Sequence, residues 1–108
     1  MGSSNAAAGS FLWGARFFND TGNTISTLYI NYTGEQWRNS AAAAQTIDFQ
    51  YQLRAPSLNA GTWTDFNSLD FSSPVTGGNA GALNGNLSSN RTLLSGSLSG
   101  LSLAPGQE

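Results

Sequence analysis

Several stretches alternate apolar and polar residues with the period of an extended strand, in which successive side chains point to opposite faces. From Phe11 to Phe18, one face carries Phe11, Trp13, Ala15 and Phe17, and the other carries Gly14 and Arg16. Ile25 to Thr33 sets Leu28, Ile30 and Tyr32 against Thr27, Tyr29 and Asn31. Between them, Asn19-Asp20-Thr21-Gly22-Asn23 has turn chemistry, so the two segments are expected to form an antiparallel hairpin. Thr46 to Leu53 is the most regular stretch: Ile47, Phe49, Tyr51 and Leu53 alternate with Asp48, Gln50 and Gln52, which predicts a strand with one core face and one wet face. Arg91 to Leu98 predicts a full strand and Leu101 to Leu103 a partial one, closed by a Pro105-Gly106 turn.

The intervening segments are less regular. Gly34 to Ser40 is polar with one large aromatic and leads into Ala41 to Ala44. Four alanines favour helix, but so short a run is marginal alone, so a loop with at most one helical turn is expected. Trp63, Phe66 and Leu69 stand three apart, a spacing that fits a bulge, a bend or a single helical turn. Leu69 to Val75 is a short strand closed by Pro74, and Thr76 to Asn90 is a long surface loop whose large apolar residues are Leu83 and Leu87. Met1 to Ser10 contains no core residue and is expected to be a flexible leader, leaving residues 11–108 as one domain. No repeat is evident. Five or six short strands separated by turn signals predict an all-β antiparallel sandwich.

Composition narrows the chemistry. The chain has 108 residues and 12 aromatics, enough for one domain with a core. With no His there is neither a Ser-His-Asp triad nor an imidazole base, and with no His or Cys there is no ordinary zinc, iron-sulfur or blue-copper site. Four arginines, no lysine and a net charge of -2 give no basic footprint for a phosphate backbone, so no nucleic-acid partner is expected. No apolar run approaches the roughly 18 residues of a membrane span, so no membrane insertion is expected. Low charge with abundant Ser, Thr, Asn and Gly suits a secreted or surface β protein. Met1 to Ser10 lacks the charged region and apolar stretch of a signal peptide, so export is expected to depend on something outside this chain.

Two constellations could carry chemistry. Glu35-Gln36-Trp37-Arg38-Asn39 packs a carboxylate, an indole, a guanidinium and two amides into five residues. An indole face stacks on a sugar ring while Arg, Asn and Gln hydrogen-bond hydroxyls around it, so these five are the candidate ligand-binding residues. The alternative is that Trp37 only caps an edge of the fold, with Arg38 stacked on an aromatic or paired with a carboxylate. Asp65, Asn67 and Asp70 place oxygen side chains at relative positions one, three and six, a candidate calcium site that departs from the helical-loop signature at Leu69 and Asp70. Turn formation is the competing account of the same residues. Apart from calcium, no cofactor is expected. Glycoside hydrolysis needs two carboxyl groups at a set separation; Glu35, Asp48, Asp65 and Asp70 supply the groups, but nothing in the sequence ties a pair together. The glycines of Gly77 to Gly81 lack the Lys-Ser/Thr of a phosphate loop. No catalytic residue is assigned, and the chain is not expected to be an enzyme.

Leu28-x-Ile30-x-Tyr32-Thr33-Gly34-Glu35-Gln36-Trp37-Arg38-Asn39, followed by Gln45-Thr46-Ile47-Asp48-Phe49-Gln50-Tyr51, resembles a β-sandwich domain repeated in large secreted bacterial proteins, which often carry cell-surface sorting signals or accompany extracellular nuclease domains. Gly61-Thr62-Trp63-Thr64, Leu69 to Pro74, Leu83-Asn84-Gly85-Asn86, Asn90-Arg91-Thr92 and Leu101 to Gly106 fit the same pattern, so the resemblance runs from about Phe11 to Gly106. It implies a jelly-roll-like sandwich and an extracellular or cell-surface location, with no catalytic motif to transfer. Members of that family usually have a strand before Phe11 and two more after the Pro-Gly turn, so this chain is expected to lack the first and last strands. The function expected is a non-catalytic module for adhesion or for binding a glycan or surface polymer. The alternatives are an assembly module that self-associates or takes a complementing strand at its open edges, and an accessory domain of a secreted nuclease or hydrolase.

Overall fold

The computed structural model describes residues 11–108; the leader expected at residues 1–10 lies outside the described residues. The fold is all-β. Among the described residues eight strands follow in order: β1 (Ile25–Glu35), β2 (Arg38–Asn39), β3 (Thr46–Ile47), β4 (Gln50–Tyr51), β5 (Thr64–Asp65), β6 (Phe71–Ser72), β7 (Gly81–Ala82) and β8 (Arg91–Leu103). Two short 3-10 turns, Asn67–Leu69 and Ser88–Asn90, interrupt them.

Pairing is nested. β1 pairs with β8, β2 with β7, β3 with β6 and β4 with β5, the order produced when one long ribbon is doubled back on itself between β4 and β5. The three short pairs are antiparallel, with Arg38 opposite Ala82, Ile47 opposite Phe71 and Tyr51 opposite Thr64. This arrangement corrects the expected hairpin of Phe11–Phe18 with Ile25–Thr33. Residues 11–18 form no strand, and the partner of β1 is β8, far along the chain. The alternation at residues 11–18 gives a face that could be buried, but no strand in the described chain is set beside it.

By contacts the described residues divide into two compact units, one of residues 11–30, 50–65 and 97–108, the other of residues 31–49 and 66–96. The first unit buries Leu98, Leu101 and Leu103. Their spacing slips by one between Leu98 and Leu101, where Gly100 takes φ 74°, so a bulge re-aims the last residues of β8 inward and the strand continues through what would otherwise be a break. Asn19, 1% exposed, closes this unit polar group by polar group. Its Nδ2 donates to the carbonyls of Asn23 and Leu103, both at 2.8 Å, and its Oδ1 accepts from the backbone N–H and the hydroxyl of Thr21. Its own backbone exchanges hydrogen bonds with Gln107 and Gly106 at 2.8 Å.

The second unit buries Leu69 and Phe71 and stacks Tyr32 on Phe49, ring centroids 6.2 Å apart. The spacing of Trp63, Phe66 and Leu69 resolves into a single helical turn, Asn67–Leu69, whose Leu69 N–H returns to the Phe66 carbonyl at 2.9 Å. The strand expected over Thr46 to Leu53 is broken into β3 and β4. At the break, Phe49 donates its N–H to Asp70 Oδ1 at 2.7 Å and accepts from the Phe66 N–H, so its hydrogen bonds go to a side chain and a turn rather than to a ladder. Residues 76–90, expected to be a long surface loop, contain β7 and the turn Ser88–Asn90. Residues 41–44 contain no helical turn: Asn39 Oδ1 takes the Ala41 N–H at 3.1 Å and Ala41 stands at φ 63°, outside the helical region.

Candidate functional site

The residues Glu35 to Asn39 lie where β1 ends and β2 begins, all within the second unit. Three backbone links hold the segment: the Gln36 N–H donates to the Asn90 carbonyl at 2.8 Å, the Trp37 carbonyl accepts from Leu83 at 2.9 Å, and β2 pairs with β7. The five side chains divide between solvent and interior. Glu35, Trp37 and Arg38 are exposed, whereas Gln36 and Asn39 are buried.

The two buried amides serve the fold. Gln36 reads the backbone of Val75 in both directions, accepting its N–H at 2.8 Å and donating to its carbonyl at 2.9 Å, with a further bond to the Arg38 carbonyl at 3.0 Å. Asn39 donates to the carbonyls of Gly77 and Asn79 and accepts from Ala41. These bonds satisfy the loop of residues 75–79, which has no ladder of its own. Their amide capacity is committed to the chain, and of the five residues only Glu35, Trp37 and Arg38 face solvent.

Trp37 is held on two sides. Its Nε1–H donates to Glu35 Oε2 at 3.0 Å, a charge-assisted bond between residues two apart on the same side of an extended chain. A Cβ built at Gly85 would stand 2.5 Å from the indole Cε2, 2.6 Å from Nε1 and 2.9 Å from Cδ2. Three ring atoms at nearly equal distance mean that the ring meets Gly85 through its face, an approach only a residue without a side chain allows. The indole nevertheless remains 54% exposed. A rigid aromatic plate thus has one face on the backbone and the other in solvent, with a carboxylate at its edge. Gly85 was not among the sequence candidates; the turn dipeptide Asn84-Gly85 is the only sequence sign of it.

The calcium candidates are employed differently. Asp65, in the first unit, accepts from Gln50 Nε2 at 2.5 Å across the β4–β5 pair. In the second unit, Asn67 opens the 3-10 turn, and Asp70 closes it and takes the Phe49 N–H. Among the described residues no group of three or more acidic, His or Cys side chains could hold a metal ion. Asp70 instead acts on Tyr32: burial and, secondarily, the Asp70 charge push the Tyr32 hydroxyl above its usual pKa, and that hydroxyl donates to the Leu69 carbonyl.

No family model matches the chain, and no curated protein or solved structure matches it.

Proposed function

We propose that the chain is a non-catalytic, extracellular or cell-surface module for adhesion or glycan binding, and that it takes a sugar ring on the free face of Trp37. The observation that carries this reading is the clamped indole. An aromatic surface fixed by Glu35 and Gly85 loses little freedom when a ligand stacks on it, which is how preorganisation turns contact area into affinity. Glu35 Oε2, bonded to the indole N–H, supplies an acceptor at the edge of the ring, and the exposed Arg38, next in the chain, supplies donors. The lack of His, the scattered carboxylates and the resemblance to surface sandwich domains support binding without turnover. The nested strand order supports a jelly-roll-like architecture, since a doubled-back ribbon of eight strands is what such a fold rolls up.

The test is titration of the chain with a panel of neutral and acidic oligosaccharides, read by calorimetry, beside Trp37→Ala. Saturable binding lost in the variant, with an unchanged circular dichroism spectrum, is the expected result. Binding that survives the substitution, or no binding across the panel, overturns the reading.

A further inference from the structure

We propose that Asn84 is a site of spontaneous backbone rearrangement, in which the Gly85 nitrogen displaces the Asn84 side-chain amide and the altered loop releases the indole of Trp37. The reaction is independent of the glycan reading; only its effect on sugar binding rests on that reading. The reacting groups and Trp37 all lie in the second unit.

Among the described residues three asparagines accept, through Oδ1, the backbone N–H two positions ahead: Asn19 from Thr21, Asn39 from Ala41 and Asn84 from Asn86, each at 3.1 Å. Such a turn folds the side-chain carbon Cγ back toward the backbone nitrogen that lies between the two bonded residues. Holding that nucleophile beside its target makes the attack intramolecular. Two differences single out Asn84. Asn19 and Asn39 are buried, with Nδ2 committed to backbone carbonyls. Asn84 is exposed, and among the described residues its Nδ2 donates to no group, so it can leave into solvent. Asp20 and Ser40 follow the first two, and a side chain there crowds the attacking nitrogen, whereas Gly85 follows Asn84 in the only Asn-Gly pair of the chain. The Gly85 N–H also donates to no described group, so no bond has to break before it loses its proton.

Solvent water takes that proton, the nitrogen bonds Asn84 Cγ, and the Cγ–Nδ2 bond breaks as ammonia leaves with a proton returned from water. The cyclic imide so formed is opened by a further water at either carbonyl, to aspartate or to isoaspartate. Opening at the main-chain carbonyl gives isoaspartate, in which the chain runs on through Cβ and Cγ. The carbonyl that held the Leu87 N–H at 3.1 Å and Asn90 Nδ2 at 3.0 Å then becomes a side carboxylate. Gly85, carried along by the extra methylene, moves against an indole that leaves it no room for a methyl group.

The test incubates the folded chain for weeks in neutral buffer and follows it by peptide mass mapping that resolves isoaspartate, with the indole N–H resonances read by NMR. Asn84 is expected to convert ahead of every other asparagine, at a rate independent of protein concentration, while a second Trp37 resonance grows in step. In Asn84→Ser a hydroxyl can still accept from Asn86 but no amide can leave, so the Trp37 resonance is expected to stay single. Asn84 left intact, or converted no sooner than Asn19 and Asn39, overturns the proposal. So does conversion with an unmoved Trp37 resonance, or the same drift in Asn84→Ser. A fresh chain that binds no sugar fails the glycan reading alone, since neither readout here uses a sugar.

Discussion

The indole of Trp37 is seated face-on against Gly85, at a distance that leaves no room for even a methyl group. Gly85→Ala therefore drives a Cβ into the ring, and the indole must swing away from the loop and from Glu35. A stability cost of about 1–3 kcal/mol is expected from the forced repacking. The Trp37 indole N–H resonance should move as its bond to Glu35 is lost, and any affinity for sugar should fall with it. An unmoved resonance would show that the ring is not held by this contact.

Gln36 and Arg38 stand two residues apart and are expected to fail in opposite ways. Gln36→Ala strips both the N–H and the carbonyl of Val75 of their partner. It should lower unfolding free energy by about 2–4 kcal/mol, since each backbone group left without a partner costs 1–3 kcal/mol. Arg38→Ala removes an exposed side chain with no ion pair among the described residues. It should stay within about 0.5 kcal/mol of the parent in urea titration while weakening glycan binding. If Gln36→Ala were as stable as the parent, the amide clamp on Val75 would not be a structural element.

How much of this was legible beforehand depends on what kind of information each feature uses. The strand expected over Ile25 to Thr33, observed as Ile25–Glu35, could be read because its alternation and its wet face are local properties. Residues 11–18 alternate just as cleanly and form no strand, because alternation says which face can be buried, not whether a neighbour exists to pair with. The nested pairing joins β1 to β8 and β2 to β7 over most of the chain, and turn residues near Gly22 carry no trace of so distant a partner. Residue types nominated Glu35 to Asn39 as candidates but could not separate the exposed Trp37 from the buried Gln36 and Asn39, because that sorting depends on the carbonyls and N–H groups of residues 75–79. Gly85 was hidden for the same reason: its role is defined by the ring that lies on it.

Asn19 is buried against the backbone carbonyls of Asn23 and Leu103, the first of which also accepts from the Thr21 hydroxyl. Asn19→Ala leaves the Leu103 carbonyl without its side-chain donor and breaks the turn around Thr21, for an expected loss of about 2–4 kcal/mol. Asn19→Asp keeps the shape and the bonds from Thr21 but sets a carboxylate oxygen against the carbonyls of Asn23 and Leu103. It should therefore destabilise at least as much at neutral pH, and less in acid, where a protonated carboxyl can donate. Urea unfolding of both variants at two pH values checks the pair.

The Tyr32 hydroxyl makes stability depend on pH at the alkaline end. Burial, reinforced by the charge of Asp70, raises its pKa in the folded chain above the ordinary value of 10.0. Near pH 10 the unfolded chain gives up this proton while the folded chain still holds it. The folded state then binds more protons than the unfolded one, and linkage makes stability fall as pH rises. The contribution is complete below the unfolded pKa and disappears as pH climbs through the higher folded value. Ionisation would also remove the proton that Tyr32 donates to the Leu69 carbonyl and set an oxyanion near Asp70. Tyr32→Phe retains the ring stacked on Phe49 and lacks the titrating group. Urea midpoints measured from neutral pH upward should decline more steeply above pH 10 for the parent than for Tyr32→Phe. Parallel declines would mean that Tyr32 titrates alike in both states.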